Sequence, residues 1–424
     1  MSALFEDSSH SERFFSTLPR SSSTEAIHLR VLEWFSDDTG GYADFSVSSA
    51  EELFTRDTDA NCNLRVIFAP SQPTPGSWGE QRAFQAIFQY YDVPSTLTSE
   101  YFTSPAYSFG KRQGLKDPEV DIAWTRFLCK DVLSHPGDRD ERELKFHDNF
   151  LWIKCITLLH TRNREDKSRC VTMLCFGAPQ AVRERFERLL KAHAWMDAVH
   201  EPYILFALVF EQCFFLLDKA AWTLATWFRP LERATLDRAR TEVSGVDWRW
   251  SMDFAKLHEI AKHAIYLNEA ATAAVLEVES VLSHLQDPSH QTDANPSIQA
   301  AITQLQYQSS AFRSTQLRLS SLDKRIANVI SLSFNLVNQR DSRLLKHDSN
   351  AMKAIALLTL VFLPMTGIAT LFSTPFFEVR NGQLVVAMSF WVFWVISVCL
   401  TLVVVAAWFW WYQKVKQQAA VVKK

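Results

Sequence analysis

The chain has 424 residues, with 44 Lys and Arg against 47 Asp and Glu, and a formal net charge of −3. That balance lacks the basic excess of a nucleic-acid-binding protein. Seven cysteines (Cys62, Cys129, Cys155, Cys170, Cys175, Cys213 and Cys399) form no Cys-x-x-Cys pair, which excludes a disulfide framework and suits a reduced cytosolic head.

Residues 1–30 are Ser-rich, polar and without an apolar signal core, so a disordered lead-in and no secretory signal are expected. From Val31 the composition turns globular, and residues 31–179 read as an α/β cytosolic subdomain. Leu64–Phe68 reads as a strand ending at the turn-rich Pro70–Pro75, and Glu80–Tyr91 as a helix carrying Phe84, Ile87 and Phe88 on one face. Asn149–Leu159 and Ser168–Gly177 read as two strands joined by a polar connection. After Ala178-Pro179 the pattern is helical, with helices expected at Gln180–Ala192, Tyr203–Trp227, Leu231–Val243 and Phe254–Leu285. These make residues 180–296 a helical cytosolic subdomain.

From Ser297 no Pro or Gly interrupts the chain until Pro364. Residues 297–353 therefore read as a stalk helix that continues into an apolar stretch, about 110 Å in all if unbroken. Leu319, Leu322, Ile326, Val329 and Leu336 form a packing seam. It suits coiled-coil pairing with another subunit or burial against the Phe254–Leu285 helix.

Two apolar stretches follow, Ala354–Phe372 and Leu384–Trp411, neither with a charged residue. Each is long enough for a hydrocarbon core of about 30 Å, which takes about 20 helical residues. Arg340, Arg343, Lys346 and Lys353 precede the pair, and Lys414, Lys416, Lys423 and Lys424 follow it in a basic tail, residues 412–424. The positive-inside rule places both termini in the cytoplasm and residues 373–383 in an outer loop. Trp391 and Trp394 at one end of the second stretch, and Trp408, Trp410, Trp411 and Tyr412 at the other, suit the two headgroup layers. The fold class expected is an α+β cytosolic head, a long stalk helix and two C-terminal transmembrane helices, in the plasma membrane.

One stripe along the first span runs Ser349, Met352, Ile355, Thr359, Leu363, Thr366, Thr370 and Ser373 at three- and four-residue steps. Small hydroxyls alternating with apolar side chains suit a narrow conduit for a hydrated cation. The same residues suit ordinary helix–helix packing, with hydroxyls bonded to their own backbone. Spacing alone leaves both readings open.

The stretch Asp348-Ser349-Asn350-Ala351-Met352-Lys353-Ala354-Ile355-Ala356, with Leu358-Thr359 and Phe362-Leu363-Pro364-Met365-Thr366, resembles the first membrane helix of the CorA-like divalent-cation transporters. It is nearest to their divergent fungal branch, which Leu64–Phe68 and Tyr107-Ser108-Phe109-Gly110 also resemble. The resemblance implies a homopentamer in a lipid bilayer, with Met352, Ile355, Leu363 and Thr366 at pore-lining positions and Ser349 at the cytoplasmic constriction. It also implies stalks that sense intracellular Mg²⁺ and open the pore when the ion is scarce. Mg²⁺ or another divalent cation would be cargo, with no cofactor required. Ser373, Thr374 and Pro375 stand where the family carries Gly-Met-Asn. Proline offers no amide side chain, and the loop holds only Glu378 and Arg380 as charges. The alternative is therefore a non-conducting, membrane-anchored scaffold that kept the fold and lost the selectivity motif.

Other signals are weaker. His258 and His263 in Leu257–His263 are five residues apart, not the four of a zinc-protease pair, and a surface helix is expected there. The mixed charges of Asp138–Glu143 suit a solvated loop, and Trp248-Arg249-Trp250 a helix-end anchor. With no GxGxxG, P-loop or GxSxG motif, the chain is expected not to be an enzyme.

Overall fold

A computed structural model describes residues 27–35, 41–57, 62–71, 78–97, 107–132, 150–163, 169–190, 195–241, 253–287, 296–371, 377–380, 383–386, 388 and 390–421. The lead-in to residue 26, the Asp138–Glu143 run, Trp248-Arg249-Trp250, the Ser373-Thr374-Pro375 motif and the last three residues lie outside them. The chain forms two compact units, Met1–Leu332 and Ser333–Lys424.

The first unit is built on a seven-stranded sheet. Its strands are β1 (Leu29–Phe35), β2 (Tyr42–Val47), β3 (Cys62–Ala69), β4 (Tyr107–Gln113), β5 (Val120–Val132), β6 (Phe150–Asn163) and β7 (Arg169–Phe176). They lie in the order β2-β1-β3-β7-β6-β5-β4, with β3 and β7 parallel and the other neighbours antiparallel. Period-two alternation feeds two cores. Leu64, Val66, Phe68, Val171, Met173 and Cys175 face one side, while Ile67, Ala69, Leu174 and Phe176 face the other. The second side is covered by α1 (Ala50–Asp57) and α2 (Trp78–Tyr90), through Leu53, Phe84, Ile87 and Phe88.

The first side packs on helices α3 (Gln180–Leu190), α4 (Trp195–His200), α5 (Ile204–Thr241), α6 (Phe254–Leu285) and the opening of α7 (Pro296–Leu371). Ile27 and Leu29 are already in the second core, so the globular part begins before Val31. The two helices expected at Tyr203–Trp227 and Leu231–Val243 are one, with Pro230 inside α5. Burial of Leu224 and Phe228 just before that proline holds the helix through it.

α6 is a core helix rather than a surface one. Its buried alanines Ala264, Ala270, Ala271 and Ala274 leave room for close neighbours. His263 is buried while His258 is exposed, so the two imidazoles do not share a face. Among the described residues no cluster of His, Cys, Asp and Glu has metal-binding geometry.

The seam of α7 is used inside the chain. Leu319, Leu322, Ile326 and Val329 belong to the core shared with α5 and α6. Gln308 Nε2 donates to the Ala207 carbonyl at 2.6 Å, and Gln316 Nε2 to Thr272 Oγ1 at 2.8 Å. Arg318 pairs with Asp218, and Arg325 with Glu232. Burial against α6 thus holds, with α5 as a second wall.

In the second unit, residues 333–371 continue α7, and α8 spans Phe390–Val421. β8 (Phe377–Arg380) pairs antiparallel with β9 (Gln383–Val386), from Phe377↔Val386 to Arg380↔Gln383. The second apolar stretch therefore begins as a strand, and its helix starts at Phe390 rather than Leu384. The apolar parts of α7 and α8 are each long enough to cross a bilayer, and only 6% of either window is buried by the chain. A soluble core helix of that composition would be mostly covered.

Candidate cation path

The apolar half of α7 carries the hydroxyl stripe, and the chain leaves that stripe open. Ser349, Thr359, Thr366 and Thr370 are exposed, as are Met352, Ile355 and Leu363, at 69%, 64% and 72%. The covered positions are Pro364 and Ile368. At about 100° per residue, the stripe and this covered pair point roughly 150° apart around the helix. On α8 Ser397 is buried, and half-covered Phe393, Thr401, Val404 and Trp408 lie on its face. Burial within this unit is thus confined to narrow seams, and the hydroxyl face lies away from that of α7.

Each threonine of the stripe donates its proton to its own helix. Thr359 Oγ1 donates to the carbonyls of Ile355 and Ala356, both at 2.9 Å. Thr366 Oγ1 reaches Phe362 O at 2.9 Å and Leu363 O at 3.0 Å, and Thr370 Oγ1 reaches Gly367 O at 2.7 Å. Such back-bonding is what a threonine commonly adopts in an apolar helix. It also turns the oxygen lone pairs outward. The stripe therefore presents acceptors, which suit the water protons of a hydrated cation and repel anions.

Pro364 sits inside the helix without ending it. Lacking an N–H, it removes the ladder bond to the carbonyl of Leu360, and membrane helices tolerate this where the neighbouring turns continue. Three residues on, a side chain added at Gly367 would meet nothing within 4 Å. Of the eight stripe positions, seven stand on this one helix, while Ser373 and its neighbours Thr374 and Pro375 lie outside the described residues.

Sequence reasoning missed the β8–β9 ribbon. Its signal was present, since Asn381-Gly382 is the two-residue linker between the strands and a favoured tight-turn dipeptide.

Residues 209–414, from within α5 to near the end of α8, match the family described as CorA-like Mg²⁺ transporter protein. The match contains α6, α7, the stripe and both apolar helices, and begins after the sheet. Notoamide biosynthesis cluster protein M' of Aspergillus versicolor is 31% identical over 160 residues, 35% of this chain. The chain spans about a third of the length of that curated relative, 35%. The full-length CmaX protein shares 14% identity at a TM-score of 0.49, with 93% of this chain and 98% of that one covered. The soluble domain of CorA from Methanocaldococcus jannaschii shares 7% identity at a TM-score of 0.44, over 74% of this chain and 99% of that one.

Proposed function

We propose that this CorA-like chain is a membrane transporter or channel for a divalent metal cation, Mg²⁺ or a related ion. Several copies, five by the family resemblance, would bring their α7 stripes together around one axis. Met352, Ile355 and Leu363 would form narrow apolar girdles, and Thr359, Thr366 and Thr370 would supply water-accepting oxygens between them. Mg²⁺ sheds its water reluctantly, so a path of outward lone pairs suits passage of a hydrated ion.

The observation that carries this reading is the uncovered stripe on the face of α7 away from Pro364 and Ile368, inside the segment that matches the family. A helix packed only against its own chain would turn hydroxyls toward the covered seam.

Uptake of Mg²⁺ into liposomes holding the purified chain tests it, with Thr366→Lys as the blocked variant. A lysine ammonium on each copy would face the path and repel a cation. Uptake above empty liposomes that Thr366→Lys abolishes supports the path, and equal uptake by both proteins removes it.

A second reading is a non-conducting membrane scaffold. Ser373-Thr374-Pro375 at the Gly-Met-Asn position favours it, because proline supplies no amide ring for the ion at the mouth. Absence of uptake for Mg²⁺, Zn²⁺ and Co²⁺ alike would select this reading.

A further inference from the structure

The first unit holds a cleft of about 300 Å³ where β4, β5, β6 and β7 meet the ends of α4 and α6 and the starts of α5 and α7. Lys111, Arg169, His200 and His284 bring nitrogen to its walls, and Asp121 and Glu201 bring carboxylates. Arg169 is held by neutral acceptors: Nη1 donates to the His200 carbonyl at 2.8 Å and Nε to Asn163 Oδ1 at 3.4 Å. Its fork is thereby fixed without an ion pair to a carboxylate among the described residues. Arg112, also on the wall, is instead neutralised by Asp92, with Nη1 3.1 Å from Asp92 Oδ2. The Lys111 ammonium lies 3.2 and 3.5 Å from the two ring nitrogens of His284, whose ring meets that of Tyr203 at a tilt of 52°, with centroids 4.9 Å apart.

The two acids differ. Glu201 is buried, and its Oε1 accepts from the Tyr203 N–H at 3.2 Å. Burial makes it hold its proton more tightly than an ordinary glutamate, against the pull of the Tyr203 N–H and of Arg169. Asp121 lines the same cleft from β5.

We infer that this cleft binds inorganic phosphate, with Arg169 and Lys111 on its oxygens and Asp121 accepting its remaining O–H. A planar guanidinium and an ammonium match tetrahedral oxyanions. A carboxylate in the same cleft rejects a fully deprotonated anion and accepts one that still carries a proton. Hydrogen phosphate near neutral pH has both features, whereas sulfate has acceptors only. The mixed charge of the walls is thus a selectivity device rather than a flaw. The inference concerns the head alone and does not depend on ion conduction by α7.

Isothermal titration of the full chain in mild detergent, with sodium phosphate, sodium sulfate and ATP at matched ionic strength, tests it. Phosphate is expected to bind saturably in the submillimolar range, and sulfate at least about tenfold more weakly. Arg169→Gln and Lys111→Gln are each expected to weaken phosphate by about tenfold. Asp121→Asn should narrow the gap between phosphate and sulfate. Arg162→Gln, which loses the surface pair with Asp117, should bind as the parent does. No saturable phosphate binding, equal affinity for sulfate, or full affinity in both Arg169→Gln and Lys111→Gln would overturn the inference. Binding of ATP tighter than phosphate would overturn the assignment to the free ion.

Discussion

The Thr366 hydroxyl donates to the carbonyl of Phe362 at 2.9 Å, so its lone pairs and not its proton face away from α7. Thr366→Ser keeps that oxygen and Thr366→Val replaces it with a methyl of similar size. The account expects uptake by Thr366→Ser close to the parent. Thr366→Val should be slower by about fivefold, the equivalent of one hydrogen bond of about 1 kcal/mol. Radiotracer or fluorescent-indicator flux in liposomes reads this ratio, and equal flux in the two variants would count against hydroxyl lining.

Arg65 Nε donates to Glu33 Oε1 at 2.6 Å, with side chains only 2% and 6% exposed, and a second guanidinium nitrogen donates to the Arg56 carbonyl at 3.0 Å. This pair ties β3 to β1 in the middle of the head. Glu33→Ala would leave a buried charge without its counter-ion, at a cost of about 3–5 kcal/mol. A matched replacement of both residues by apolar ones should cost much less. Chemical denaturation of the parent and the two variants checks the order.

His160 on β6 packs edge-on to Tyr91, with centroids 5.6 Å apart, and its pKa is lowered to about 4. Burial is the main cause and the nearby Arg162 adds to it, against smaller opposing effects of Asp92 and Asp117. A depressed base is neutral in the folded head while the unfolded chain takes up a proton from about pH 6.5 downward. The stability it contributes is present above pH 6.5 and lost as the pH falls toward 4, on the order of 3 kcal/mol. The melting temperature of the parent should fall over that window more steeply than that of His160→Gln.

Four thiols, Cys129, Cys155, Cys175 and Cys213, lie buried in the core between the sheet and α5. Burial pushes Cys129 and Cys155 up to about 12, and Cys175 and Cys213 also well up. A thiolate reagent at mildly alkaline pH should modify half-exposed Cys170 and leave those four untouched until denaturant is added. Mass spectrometry of the labelled chain distinguishes the sites. Raised thiol pKa values also mean that this part of the stability is complete below about pH 9 and is lost as the pH climbs toward 12.

Much of this was readable from residues, because the strongest signals are local. Uniform apolarity over Ala354–Leu371 gives a helix long enough to cross a bilayer, and alternation in Leu64–Phe68 and Cys170–Phe176 gives buried strands with two faces. The misreadings share one cause, which is tertiary context overriding a local cue. Pro230 reads as a helix boundary, yet burial of Leu224 and Phe228 carries α5 through it. β5 escaped notice because Asp121, Thr125, Arg126 and Lys130 break its apolar run. The structure satisfies Thr125 against Thr157 Oγ1 at 2.6 Å, and the Arg126 backbone N–H against buried Glu277 Oε1 at 2.6 Å. The phosphate cleft was invisible for another reason. Lys111, Asp121, Arg169 and His284 are far apart in sequence and meet only once the sheet order is known.

The central claim is that the hydroxyl face of α7 lines water rather than lipid. Single cysteines at Thr359, Thr366 and Ile368, placed in a chain whose native thiols are replaced, test it with a membrane-impermeant thiol reagent in liposomes. The account predicts modification at Thr359→Cys and Thr366→Cys, slowed by millimolar Mg²⁺, and none at Ile368→Cys. Unmodified Thr359→Cys and Thr366→Cys that a lipid-soluble reagent labels readily would contradict it.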